Sequence, residues 1–162
     1  MTETPLPALT GGCLCGAVRF EARPSSRDAY YCHCRMCQLA VGNTRATFIN
    51  LRKDEVSWLA AEPTWYASSK IARRGFCGHC GTPLSFAYEG SERMDLTVGA
   101  FDDPSALKPV SHFAIESRVA NWHVEDGLPG ERMDASVKLA ERWKKAYGDD
   151  VNPGVDAVRA TG

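Results

Sequence analysis

Two stretches of the chain read GGCLCG (residues 11–16) and FCGHCG (residues 76–81). A structural zinc ion takes four thiolates in a tetrahedron, usually from two short loops that give two sulfurs each. Glycine permits positive backbone φ angles, so amide hydrogens in such loops can turn toward the sulfurs. A metal held by both loops would close a long segment of chain. We therefore expect Cys13, Cys15, Cys77 and Cys80 to form a closed zinc site that staples the fold.

The other three of the seven cysteines lie in YCHCRMCQ, residues 31–38. Three protein ligands and one exchangeable position are typical of a catalytic zinc, so Cys32, Cys34 and Cys37 are the candidate catalytic ligands. Two alternatives stay open. A histidine (His33, His112 or His123) could close the site, although we expect the His33 ring to point away from the metal. All seven cysteines could also share one polynuclear cluster.

The odd cysteine count and the lack of a secretion signal argue against a disulfide framework. In a reducing compartment, clustered thiols are more often metal ligands, and the sequence predicts two Zn²⁺ per chain. Lys and Arg total 19 against 20 Asp and Glu, so no overall field attracts nucleic acid. No apolar run approaches the roughly 20 residues that span a bilayer. We expect a soluble, cytoplasmic protein with no membrane partner.

Short alternating segments separated by turns predict a mainly β, antiparallel fold. The predicted strands are 17–21, 46–51, 55–59, 64–67, 84–88, 95–98 and 112–115. Short helical turns are expected after Cys34 and at 104–107.

The segment from Met133 to Tyr147 has apolar residues at helical spacing and Gly148 as a stop. It predicts one amphipathic helix that packs on or covers the sheet, with a partner-binding helix as the weaker alternative. The predicted organisation is one β domain over residues 1–130, a helix packed on it over 131–148, and a flexible tail over 149–162.

Three cysteine motifs occur in a specific order: GGCLCGAVRF (11–20), CHCRMCQ (32–38) and RRGFCGHCGTPL (73–84). Together they resemble the glutathione-dependent formaldehyde-activating enzyme family, which also contains centromere protein V. The stretches VGAFD (98–102) and HFAIESR (112–118) resemble the second half of that family, and the similarity covers about 9–128. The C-terminal helix lies outside it.

The resemblance implies a zinc-stapled β "tent" with a structural zinc on Cys13, Cys15, Cys77 and Cys80 and a catalytic zinc on the other three cysteines. It also implies a carbon-sulfur lyase that forms or cleaves S-hydroxymethylglutathione, with glutathione and formaldehyde as small-molecule partners. A noncatalytic zinc module that binds a protein or nucleic acid is the alternative function. The sequence leaves the oligomeric state undetermined.

Three further residues are candidates for substrate binding. Arg35 lies inside the catalytic loop and could bind substrate or balance thiolate charge. Arg74 could pair with a substrate carboxylate, although adjacent strand residues face opposite ways, so only one of Arg73 and Arg74 can enter a given pocket. His112 could carry protons because its ordinary pKa lies near neutrality.

Overall fold

The structure is a computed structural model and describes residues 6–152 and residue 154. The mainly β class is confirmed. The described strands β1 to β11, in chain order, are Leu9–Gly12, Arg19–Ala22, Asp28–Cys32, Ala46–Arg52, Val56–Trp58, Thr64–Ser69, Ala72–Phe76, Pro83–Tyr88, Arg93–Thr97, Lys108–Phe113 and Gly130–Glu131. Helix α1 is Arg35–Val41 and helix α2 is Val137–Tyr147. Neither helix of the described part is long and apolar enough to cross a membrane.

The strands form two sheets. One has the order β1-β2-β5, and the larger has the order β11-β10-β3-β4-β9-β8-β7-β6. Most neighbours are antiparallel, as expected, but β10 runs parallel to both β3 and β11. A parallel pair needs a long crossover connection, and the connection from β3 to β10 carries most of the sheet. This long-range pairing leaves no local signal in the sequence.

Alternation along the strands gives the large sheet two different faces. One face packs on the small sheet through an apolar core that includes Phe20, Ile49, Leu51, Leu84 and Leu96. Burying each of these side chains stabilises the fold by about 1.5–3 kcal/mol. Cys13 and Cys77 belong to the same core, so the two cysteine-rich turns are anchored where the sheets meet.

The other face carries the middle cysteine motif and is covered by helix α2, with Leu139 and Trp143 buried. The helix begins at Val137 rather than Met133. Met133–Ala135 forms a separate 3₁₀ turn, because Ser136 has an extended backbone that breaks the helical path. Gly148 ends the helix in the left-handed conformation, as predicted.

Several strands differ from the sequence-based expectation. Strands β1, β3, β7 and β11 were not predicted. The last long strand, β10, ends at Phe113 instead of reaching Ile115, because Ala114 has a left-handed backbone with φ of 58°. Most of the predicted tail over 149–162 lies outside the described residues. Of the part that is described, Val151 packs against the cysteine-bearing face.

Candidate functional site

The two glycine-rich turns bring four cysteines together. The sulfurs of Cys13, Cys15, Cys77 and Cys80 all lie within 4.8 Å of one another. The Cys13–Cys15 and Cys15–Cys77 sulfur distances are 3.5 and 3.7 Å. Four sulfurs at about 2.3 Å from a central zinc would be roughly 3.8 Å apart at tetrahedral corners. The group therefore fits a tetrahedral metal ion of that size.

Backbone geometry shapes both turns, although not every glycine acts as expected. Gly16 and Gly81 have positive φ angles of 79° and 77° and complete the turns. Gly11 lies in strand β1, where an added Cβ would collide with the Ala100 carbonyl. Its role is close packing rather than an unusual φ. The expected amide donor is present, because the Val18 amide donates to Cys13 Sγ at 3.2 Å.

Thr82 also supports the four-cysteine group, and sequence reasoning missed it. Its hydroxyl oxygen accepts from the Leu14 amide at 3.1 Å, so its proton is free to point at Cys80 Sγ, 3.1 Å away. This hydrogen bond is the largest cause that lowers the pKa of Cys80 to about 5. The signal available in the sequence was only a threonine two residues after the last cysteine.

The middle motif places three sulfurs together where strand β3 meets helix α1. Cys32, Cys34 and Cys37 are all buried, and their sulfurs lie within 4.8 Å of one another. Cys34 caps helix α1, and its sulfur accepts from the Cys37 amide at 3.3 Å. All seven cysteines are free, in two separate groups, so neither a disulfide framework nor a single seven-cysteine cluster is present.

The histidines lie outside both sulfur groups in the part of the chain that the structure describes. The His33 ring points away from the sulfurs, with Nε2 at 2.8 Å from His112 Nδ1. Nε2 of His112 is in turn 3.0 Å from an Asp126 carboxylate oxygen. These contacts link the buried rings of His33 and His112 to the exposed Asp126 and fix the loop between Cys32 and Cys34. Burial lowers the pKa of His33 to about 4, which keeps its ring neutral.

Charge in the three-cysteine group is unevenly shared. Cys37 has a pKa well below the ordinary value because the thiols of Cys32 and Cys34 donate to it, with a further contribution from Arg74. Hydrogen bonds with Cys34 and then with Cys37 raise the pKa of Cys32. The Arg74 guanidinium donates to Cys37 Sγ at 3.4 Å. Three thiolates so close together repel one another, so a bound cation is what would let all of them ionise.

A cavity of about 740 Å³ lies over this face of the large sheet, and all three cysteines line it. Aromatic rings of Tyr30, Phe48 and Phe86 form part of the wall, with neighbouring ring centroids 5.9 and 6.4 Å apart. Four cationic side chains also line the cavity: Arg74, Arg93, Lys138 and Arg142. A cavity with these walls suits an anionic small molecule that has an apolar part.

The structure separates the three predicted substrate-binding residues. Arg74 lines the cavity, whereas Arg73 turns the other way and stacks over the Trp65 ring at 4.6 Å. His112 also borders the cavity, but it is buried and held by the His33 and Asp126 contacts. Arg35 is not among the residues described as lining the cavity, and its guanidinium donates to Gln38 Oε1 at 3.0 Å.

The cavity also contains a buried carboxyl group that sequence reasoning did not single out. Asp95 lines the wall, and its Oδ1 accepts from Tyr30 Oη at 3.0 Å and from Asn50 Nδ2 at 3.1 Å. Burial is the largest cause that raises the pKa of Asp95 to about 7. An acidic residue within an apolar strand pattern was the only available signal.

A family model described as glutathione-dependent formaldehyde-activating enzyme matches residues 8–117, which is more than half of the chain and includes all seven cysteines. The chain belongs to this family. The predicted similarity ran to residue 128, so the match ends somewhat earlier than expected. It stops before helix α2, so Lys138 and Arg142 are cavity residues outside the matched span.

Two individual proteins are similar to the chain. An uncharacterized lyase of Schizosaccharomyces pombe is 36% identical over 83 residues, or 51% of this chain. The match spans 60% of that relative's length. The crystal structure of a Rhodobacter sphaeroides protein aligns with a TM-score of 0.52 at 20% identity, covering 75% of this chain and 99% of that one. This second likeness supports the fold.

Proposed function

We propose that the protein is a zinc-dependent carbon-sulfur lyase that forms and cleaves adducts between a small thiol and a small aldehyde. The reaction suggested by its family is the joining of glutathione and formaldehyde to S-hydroxymethylglutathione. The observation that carries the proposal is the group of three buried sulfurs in the wall of a cation-lined cavity. The name of the lyase relative agrees with this class of reaction.

Zinc is the metal we propose for both groups, because all-sulfur donor sets favour it over harder cations. The four-cysteine group would hold a closed, structural ion. Cys32, Cys34 and Cys37 would hold a second ion with one position left for substrate. Zinc bound there would supply a site at which a substrate thiol loses its proton at neutral pH.

The chain's own residues would do three things for this reaction. Arg74 offsets the negative charge of the sulfur group, which otherwise opposes the approach of another thiolate. The cationic side chains of the cavity orient substrate carboxylates. The aromatic wall excludes water from the forming bond. In the balanced step, the thiol sulfur bonds to the carbonyl carbon and the thiol proton ends on the former carbonyl oxygen.

The charges of the cavity match those of glutathione, which carries two carboxylates and one ammonium group. Arg74 is our choice for a substrate carboxylate, and we assign His112 to positioning His33 rather than to binding. We also propose that residues 1–130 form the metal-binding domain, that the helix packs on it, and that the protein acts in the cytoplasm, where thiols stay reduced.

Exchange NMR tests this function directly. The experiment measures the exchange rate between free glutathione and its formaldehyde adduct with and without zinc-loaded protein. Wild-type protein should accelerate exchange, and Cys34→Ser should abolish the acceleration while keeping one zinc in the four-cysteine site. An unchanged rate with both metal sites full would overturn the proposal and favour a noncatalytic zinc module. Acceleration by Cys34→Ser equal to wild type would refute the role of the three-cysteine site.

A further inference from the structure

We propose that Asp95 and Arg93 form a subsite for the α-amino-acid end of the thiol substrate. Asp95 would pair with the ammonium group and Arg93 with the carboxylate. This inference rests on the proposed function, because it assigns one end of a substrate whose thiol reaches the three-cysteine group. It concerns recognition only, and no bond is made or broken at this subsite.

The two side chains are held on the same side of strand β9. They are two residues apart, so alternation points them to one face, and both line the cavity. Asn50 on the neighbouring strand β4 links them. Its side-chain amide nitrogen donates to Asp95 Oδ1 at 3.1 Å, its side-chain oxygen accepts from Arg93 Nε, and its carbonyl accepts from Arg93 Nη2 at 3.2 Å. The acid and the base are therefore fixed relative to each other.

Asp95 retains capacity for a ligand. Both of its donors, Tyr30 and Asn50, bind Oδ1, and no described residue donates to Oδ2. Among the described residues, no basic side chain forms an ion pair with Asp95. A buried carboxyl group without a cation is costly, and the raised pKa of Asp95 reflects this burial. An incoming ammonium group would offset that cost.

The position suits a molecule with an amino-acid end and a thiol some distance away. Asp95 pairs across the sheet with Phe86, and Phe86 pairs with Arg74, which contacts Cys37. Two strand spacings separate the backbones of Asp95 and Arg74 by roughly 10 Å. In a γ-glutamylcysteinyl thiol, seven bonds of about 1.5 Å join the glutamyl α-carbon to the sulfur and span roughly 9 Å when extended. The backbones that carry Asp95 and Arg74 are thus separated by about the extended length of one γ-glutamyl thiol.

The pairing of Arg93 with Asp95 makes this subsite different from a general anion site. The four cations of the cavity would attract any carboxylate. A buried carboxylate among them repels a purely anionic ligand and favours the binding of a ligand that also carries a positive charge. The class of ligand that satisfies both is a zwitterionic amino acid carrying a thiol on its side chain or in a peptide linked through it.

Calorimetric titration of the zinc-loaded protein tests the ammonium contact. The probes are S-methylglutathione, whose sulfur has no thiol proton, and its N-acetyl derivative, which lacks the ammonium charge. Wild-type protein should bind S-methylglutathione at least about tenfold more tightly than the N-acetyl derivative. Asp95→Asn should bind the two probes equally. Glu89→Gln removes one exposed negative charge from the turn between β8 and β9 and should keep the wild-type preference.

A second variant makes the test independent of how well Asp95→Asn folds. Arg93 is exposed, so Arg93→Gln should fold normally. The second probe pair is S-methylglutathione and its analogue whose glutamyl α-carboxylate is an amide. Wild-type protein should bind S-methylglutathione more tightly than this analogue, and Arg93→Gln should lose that preference. Equal binding of both members of either probe pair by wild type, or an intact preference in the matching variant, overturns the subsite. These binding results do not depend on turnover, whereas failure of the proposed function would appear as unaccelerated exchange by wild type.

Discussion

The four-cysteine group should stabilise the fold more than the three-cysteine group, and the reason is loop closure. Cys15 and Cys77, whose sulfurs are 3.7 Å apart, are separated by 62 positions in the chain. The middle motif closes a loop of only about five residues. Closure entropy grows as 1.5RT ln n, so metal binding at the longer loop removes about 2 kcal/mol more entropy from the unfolded state. For a chain of this size, that corresponds to roughly 4–8 °C in Tm.

The comparison uses the double variant Cys77→Ser/Cys80→Ser, which removes both sulfurs on one side of the long loop, and Cys34→Ser. Cys80 is half-buried, whereas Cys34 is buried, so serine itself is tolerated differently at the two positions. Measuring each variant with zinc and after chelation cancels that difference. The increase in Tm on adding zinc should be roughly 4–8 °C larger for Cys34→Ser, which keeps the long-loop site. Equal increases in the two proteins, or a larger one for the double variant, would refute the role of loop closure.

Three further predictions concern the cavity and its cover. Arg74→Gln should weaken glutathione binding by about 10-fold or more, because it removes the cation that we propose pairs with a substrate carboxylate and offsets the sulfur charge, while Arg74→Lys should retain part of the affinity in the same titration. Folded Asp95 binds its proton more tightly than in the unfolded chain, so its contribution to stability falls as pH rises from about 4 to about 7. Asp95→Asn should therefore be more stable than wild type at pH 8, by up to about 4 kcal/mol, and a denaturant titration giving a less stable variant would contradict this. Trp143→Ala should lower the free energy of unfolding by about 3–5 kcal/mol, because it removes a buried side chain from the helix contact. It should also expose α2 to proteolysis with the zinc content unchanged. A helix that stays protected would show that Trp143 does not hold it.

Sequence patterns predicted the parts of the fold that are encoded locally. Alternation identified the strands near residues 46–51 and 84–88, and the apolar spacing around Leu139 and Trp143 identified helix α2. Strand β7, Ala72–Phe76, was missed because its two arginines and glycine do not alternate in the usual way. Its pattern is explained only by the structure, in which Arg73 stacks on a tryptophan and Arg74 enters the cavity. The parallel pairing of β3 with β10 joins distant segments and has no local signature.

The sulfur groups were predictable because short spacings fix their geometry. Two glycine-rich turns supply four cysteines and the middle motif supplies three, and this division predicted the two clusters that the structure contains. The cavity was not predictable in this way. Tyr30, Asn50 and Asp95 come from three strands, and they meet only because the sheet order places β4 between β3 and β9. Lys138 and Arg142 reach the same cavity from a helix whose docking position its periodicity does not specify.

¹¹³Cd NMR of the protein loaded with cadmium in place of zinc, before and after glutathione is added, tests directly whether the three-cysteine group is an open metal site. The division into a closed and an open site predicts two resonances, of which one shifts when the thiol binds. Cys34→Ser should remove or displace only the resonance that responds to glutathione. A single resonance, or two that both ignore the thiol, would contradict the claim that the three-cysteine group is an open metal site for a thiol substrate.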